Sequence, residues 1–326
     1  MSYSEKKAGA KAVIDAYNIP TPQPAFSERK PFVITSGAMR LTDPCYSMDV
    51  WCAGTLNNVK NGIWNTGIYG EVSDFDFIIY LSDLKKRLDR DKNFKKSCND
   101  LLSLLNGLGF TNAKHEVDTL RYGDFYQLTT LKIKIKRAFP DNGSEQLSKA
   151  ISLITEMHTA AIIETEETRC FDEEINNLKA GSFHRRTSVL FSVHSDYDAD
   201  PRFSNENIIE TFKAAAVAKD IAVGVDSGQA GMFDLSVFET VASPESGCSP
   251  EHKIFYSLCC DWDLGELDLT TNTITLPGSN QAMGVNSSSG FGDGGYNAHI
   301  IADENGEIIA VAFNYMGALG DGEDDE

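Results

Sequence analysis

Two textures alternate along this chain, and the boundaries between them limit what it can fold into. From Pro31 to about residue 72, and again after Gly181, short apolar–polar alternations are separated by clusters of Gly, Asn, Asp and Ser. A period of two buries one face of a strand, and frequent turn residues suit many short strands rather than a few long ones. PFVITSG, GAMRLTDP, RRTSVLFSVHSDY, AVGVDSGQAGMFD, TNTITLPG and EIIAVAFNYM all read this way. Asn305-Gly306, between HIIADE and EIIAVAF, is the clearest hairpin signal, and Asn61-Gly62 within NNVKNGIWNTGIYGEV is a second. KIFYSLCCDW reads as a buried strand in which Cys259 and Cys260 act as small hydrophobes. One helix, roughly residues 205–219, interrupts the series.

Between Ser73 and Ala180 the pattern is different. DFDFIIYL resembles a strand, and the segment that follows resembles a long helix with Leu84, Leu88, Leu101, Leu104, Leu105 and Leu108 as apolar positions. Ser82 suits its N-cap, and Gly107 or Gly109 its stop. HEVDTLRY and FYQLTTLKIKIKRAF come next, the latter alternating at Leu131, Ile133 and Ile135, and a further helix is expected from about Glu145 to Thr165 after Asp141-Asn142-Gly143. At the other end of the chain, residues 1–17 offer a weakly amphipathic helix. Pro20, Pro22 and Pro24 then impose an extended linker. The fold class expected is therefore α+β. A β-rich, sandwich-like, discontinuous core (31–72 plus 181–320) carries an inserted α+β domain (73–180), an extended N-terminal arm (1–30) and an acidic, disordered tail (321–326).

Charge follows the same division. The formal net charge of the 326 residues is −19. Residues 73–180 hold 16 basic and 18 acidic side chains, which leaves 13 basic and 30 acidic elsewhere. A chain this acidic is repelled by nucleic acid and by anionic membranes, so direct binding to either is not expected. The start has no apolar leader and no apolar run is long enough to span a bilayer, which points to the cytoplasm. The seven cysteines, at 45, 52, 98, 170, 248, 259 and 260, are odd in number and include no CxxC pair. A disulfide framework and a zinc ribbon are both disfavoured. An arm and an insertion together favour self-association, as a dimer or tetramer.

Three segments are richer in chemically capable residues than a β core requires: Asp43-Pro44-Cys45-Tyr46, Val225-Asp226-Ser227-Gly228-Gln229-Ala230-Gly231, and SSSGFGDGGY from Ser287 to Tyr296. With Trp51-Cys52, the NGxW pattern of Asn61, Gly62 and Trp64, and the spacing of Arg186, Leu190 and His194, they resemble the landmarks of a family of uncharacterised bacteriophage and bacterial proteins. In shorter relatives of that family the NGxW segment passes almost directly into the Arg-bearing strand. The resemblance implies a phage origin, a β-rich core and 73–180 as an insertion, and it supplies no activity.

An enzymatic reading gathers Asp43, Asp226, Asp234 and Asp293 as carboxylates, Cys45 as nucleophile, His194 or His299 as base and Gln229 as a polar partner. Paired carboxylates would also suit Mg²⁺ or Ca²⁺. The structural reading has Asp43 and Asp226 closing turns and accepting backbone N–H groups, with Gly228, Gly231, Gly292, Gly294 and Gly295 at positive φ. His194 and His299 are then core histidines, and Trp51, Trp64 and Trp262 are core anchors. Asp43, Cys45, Tyr46, Asp226, Ser227, Gln229, Asp293 and Tyr296 are the residues of interest under either reading, with no cofactor and no metal expected. Three functions follow as expectations. The first is a phage accessory protein that binds and inhibits a host anti-phage defence complex, with a Gabija-type nuclease complex as the guess. The second is a hydrolase or nucleotide-processing enzyme built on the three loops, and the third a virion or assembly component.

Overall fold

The computed structural model describes residues 2–121, 124–140, 143–161, 171–215, 217–241, 249–260 and 269–320. Trp262, Cys170, Cys248, the Asp141-Asn142 turn and the acidic tail, all singled out above, lie outside them. The chain forms two units, Met1–Thr21 with Asp74–Ser182, and Pro22–Ser73 with Phe183–Glu326.

The first unit is helical throughout its described residues: α1 (Tyr3–Tyr17), α2 (Asp74–Gly107), α3 (Ala113–Asp118), α4 (Phe125–Ala138), α5 (Glu145–Ala161) and α6 (Phe171–Lys179). Ser2 and Glu5 form a capping box that starts α1, and Asn18 ends it in the left-handed conformation. This helix is not a free arm: Tyr3 stacks on Phe75 of α2 at 5.8 Å, and Gly9 lets the backbones approach at Ser82.

The strand expected at DFDFIIYL is helical, as is the alternating FYQLTTLKIKIKRAF segment over α4, and HEVDTLRY is helical over 115–118. Leu128, Leu131 and Ile135 are buried at helical spacing while Ile133 is 45% exposed, so the period-two run at 131–135 is incidental to packing. Those three residues share a core with Leu101 and Leu105 of α2, Val117 of α3, and Ala150 and Ile154 of α5. Tertiary burial outweighs the β propensity of the isoleucines.

The second unit has two antiparallel sheets. One runs β1 (Ala25–Phe26), β5 (Gly62–Glu71), β6 (Arg186–His194), β12 (Ile308–Asn314), β11 (Gly294–Ala302), β7 (Val217–Val225), with β2 (Lys30–Ile34) also paired to β5. The other runs β4 (Gly54–Asn57), β3 (Ala38–Thr42), β8 (Gln229–Asp234), β10 (Gly284–Ser288), β9 (Asn272–Ile274). Between them lies one core, in which Trp64, Ile68, Leu190, Val311 and Phe313 meet Met39, Leu41, Met232 and Val285. Helix α7 (Ile208–Ala215) brings Ile208 and Phe212 against the outer face of the first sheet, where Phe191, Val193 and Ala312 lie. Helices α8 (Leu235–Val241) and α9 (Pro250–Cys260) bring Phe238, Phe255 and Cys259 against the second. Burial on both faces explains why β6 and β12 read as near-continuous apolar runs.

KIFYSLCCDW is thus helical at its start, because His252, Phe255 and Cys259 fall on one buried face; Cys260, on another, is exposed. The helix expected over 205–219 stops at Ala215, and β7 begins at Val217. Asn305-Gly306 turns β11 into β12 as expected, with Gly306 at φ 81°. Asn61-Gly62 makes no hairpin, because β4 pairs with β3 in one sheet and β5 with β2 in the other. The Asn61 side chain instead accepts the Gly37 N–H at 2.7 Å, marking a crossover between sheets.

Candidate functional site

The three motif loops converge at one end of the sandwich because of strand register. Asp43 follows β3, Asp226 to Gly228 join β7 to β8, and Ser289 to Asp293 join β10 to β11; Gln229 sits opposite Ser288, and Val225 opposite Gly294. Asp43 is fully buried. Its Oδ1 accepts from the Cys45 N–H at 2.8 Å and the Ser227 hydroxyl at 2.7 Å, and its Oδ2 from the N–H groups of Asp226 and Ser227, each at 2.8 Å. Four donors compensate for the lost hydration of one carboxylate. Asp43 therefore clasps its own turn and the neighbouring loop together. Asp43 closes its turn; Asp226, expected to accept backbone N–H groups, gives its own N–H to Asp43 and is bonded through its side chain to Tyr46.

Around this clasp Cys45, Tyr46 and Tyr256 are held protonated. Burial pushes the Cys45 thiol up, and a hydrogen bond to Asp43, with the charges of Asp43 and Asp226, pushes it further. Burial likewise raises Tyr46, which also bonds Asp226 and Cys52. Tyr256 of α9 is pushed up to about 12 by burial and by its bond to Cys260. A nucleophilic cysteine needs the opposite environment, with a cation or helix N-terminus lowering its pKa. Beneath the 43–53 loop, buried Arg40 donates to Thr55 Oγ1 at 3.1 Å and to the Met48 carbonyl at 3.0 Å, and lies 5.9 Å from the Phe238 ring. The Cys52 carbonyl accepts the Gly224 N–H at 2.7 Å.

Polar links continue beyond the clasp. Asn286 of β10, fully buried, donates to Gln229 Oε1 at 2.5 Å and to the Cys259 carbonyl at 2.9 Å, while Gln229 Nε2 is 3.5 Å from Cys260 Sγ. The Ser289 N–H reaches the Gly228 carbonyl at 3.0 Å, and the Tyr296 hydroxyl donates to the Gly292 carbonyl at 2.7 Å. Gly228 and Gly292 take positive φ as expected; Gly231, Gly294 and Gly295 do not, being strand residues. Asp293 is exposed at the loop tip.

The three other members of the enzymatic set, His194, Asp234 and His299, are elsewhere. His194 lies at the far end of β6 from Arg186, about 26 Å away at ~3.3 Å per residue. There its Nε2 contacts the Asn61 carbonyl at 2.9 Å, and its ring lies edge-on to Trp64 at 5.8 Å. It cannot serve as base to Cys45. Asp234 closes the same far end, accepting from Ser236, Thr35 and Ser36. His299 is buried within β11. Trp51, expected in the core, is 91% exposed. Among the described residues no three His, Cys, Asp or Glu side chains converge as metal ligands.

Arg40, Asn286 and Tyr256 escape sequence reasoning. Only Arg40 leaves a signal, a cation inside the apolar stretch AMRLT that an outward-facing reading of the strand absorbs. Residues 163–313 match the model of a family described as a protein of unknown function, DUF4241. The match takes in the DSGQ and GDGGY loops and stops short of the DPCY turn. No curated protein and no solved structure matches the chain. No helix among the described residues is long and apolar enough to cross a membrane.

Proposed function

We propose that the protein acts by binding another protein rather than by catalysis, as a phage-encoded inhibitor of a host anti-phage defence complex. The observation that carries the non-catalytic part is the Asp43 clasp. The carboxylate at the centre of the motif loops has both oxygens engaged by four protein donors, and the adjacent Cys45 thiol is kept protonated. That arrangement supports a structural role for the motifs, which leaves surface and charge as the means of action. A defence nuclease offers a basic, DNA-binding groove, and the acidic excess outside residues 73–180 complements such a surface. A Gabija-type nuclease complex is the specific target to test first.

The experiment is affinity capture of tagged full-length protein from bacteria expressing that complex, followed by sizing and a nuclease assay. A stoichiometric assembly that survives DNase and chelator, with nuclease activity suppressed, is the expected result. Capture of no defence component, with turnover of a small substrate by the protein alone, would contradict it. Self-association as a dimer or tetramer is part of the proposal and is read from the same sizing step.

A further inference from the structure

The loop end of the β unit presents aromatic and acidic groups to solvent on an anchored frame. Trp51 is 91% exposed and Phe291 60% exposed, the two largest exposures among the large hydrophobic side chains of this unit's described residues. Register places both at the loop end of the first sheet, Phe291 against Arg186 of β6 and Trp51 beside the edge strand β7. The Cys52 carbonyl, next to Trp51, bonds Gly224, and Gly224 pairs with Gly295, four residues beyond Phe291. Both loops are fixed from behind, one by Arg40 and the Asp43 clasp and the other by the Ser289 bonds to Gly228 and Gly292. An exposed indole on a braced loop loses little side-chain and backbone freedom on contact, the property of an interface anchor.

The surrounding charge narrows the partner. Exposed Asp49, Asp226 and Asp293 lie within two residues of Trp51, Gly224 and Phe291 respectively. Two basic groups at this end are already engaged: Arg40 by Thr55 and the Met48 carbonyl, and Arg186, whose guanidinium lies 5.0 Å from the Phe291 ring and donates to the Gly290 carbonyl at 3.2 Å. An aromatic face rimmed by carboxylates matches a guanidinium, which stacks on a ring while its N–H fork pairs with oxygen. Arg186 on Phe291 is an internal instance of the same contact.

We propose that this loop end, with Trp51 as the anchor and Asp226 and Asp293 as the charged rim, binds an arginine-bearing segment of the protein partner. The inference rests on the protein-binding reading above. It is tested with the full-length protein and a fluorescent nine-residue arginine peptide, followed by anisotropy, with the equivalent lysine peptide as control. The arginine peptide is expected to bind, and more tightly than the lysine one. Trp51→Ala should weaken it by about tenfold, and Asp226→Asn with Asp293→Asn by a similar factor. Glu304→Lys, on the hairpin at the far end, should change it less than about twofold. Equal binding by Trp51→Ala and the parent overturns the proposal. Equal weakening by Glu304→Lys and by the Asp226/Asp293 pair overturns it too, since that is diffuse charge. A defence complex that forms undiminished with Trp51→Ala would also overturn this surface while leaving the binding function intact, so the two readings fail separately. Unchanged thermal melting of Trp51→Ala, whose indole is in solvent, certifies the variant.

Discussion

Asp43 exchanges its hydration for four protein donors, and the exchange is favourable only while the acceptor is a carboxylate. In Asp43→Asn an amide NH₂ replaces one oxygen and faces N–H groups that need an acceptor. We expect a loss of about 2–4 kcal/mol, seen as a lower urea midpoint for the β unit. Cys45 gives a chemical test of the same clasp. Its thiol is pushed up by burial and by Asp43, so iodoacetamide at about pH 8.5 should modify exposed Cys260 at least about tenfold faster than Cys45, read by mass spectrometry. Faster labelling of Cys45 would reveal a thiolate and revive the nucleophile. Asp234, at the opposite end, contributes to acid stability. Burial alone would raise its pKa, but hydrogen bonds from Ser236, Thr35 and Ser36 more than offset that and hold it below the ordinary carboxylate value. A depressed folded pKa gives stability that is complete above the unfolded value and lost as pH falls through the folded one. As pH falls below about 4, the melting temperature should therefore drop less steeply in Asp234→Asn than in the parent.

At the scale of elements, Gly231 shows why the DSGQAG motif needs its second glycine. A Cβ there would lie 2.6 Å from the Val285 carbonyl and 2.5 Å from the Phe233 ring, and the carbonyl belongs to a paired strand that cannot retreat. Gly231→Ala should cost about 1–3 kcal/mol by overpacking, measured by denaturation. The sandwich strands were legible because burial of one or both faces writes itself as alternation or as an apolar run, and the Asn305-Gly306 hairpin because only certain residues tolerate its φ. The helices mistaken for strands share one cause. In LKIKIKRAF and IFYSLCC the apolar residues satisfy both periods over a short window, and the partner helices or sheet that decide between them are distant in sequence. Loop convergence was not legible at all: Asp43 and Ser227 are 184 residues apart, and only the register of β3, β7, β8 and β10 brings them together. What the sequence did mark was the unusual density of polar residues in the loops, several of which bond one another.

For the whole molecule, the helical insertion interrupts a β-hairpin. Glu71 lies opposite Arg186 in the β5–β6 ladder, so the chain leaves and re-enters the sheet at neighbouring positions, about 5 Å apart. The β unit has its own cores. Replacing residues 73–184 by an Asn-Gly turn and removing 1–21 should therefore leave a folded β unit, with helical circular dichroism reduced and a cooperative melt retained. Aggregation of that protein would mean the units depend on one another to fold. The central claim is that the motif loops brace a binding surface and perform no chemistry. Its most direct test is the affinity of Cys45→Ser for the captured defence complex, measured beside that of the parent. The account predicts the same affinity within about twofold and undiminished nuclease inhibition. Loss of inhibition by a correctly folded Cys45→Ser, with binding retained, would contradict it and assign Cys45 to catalysis.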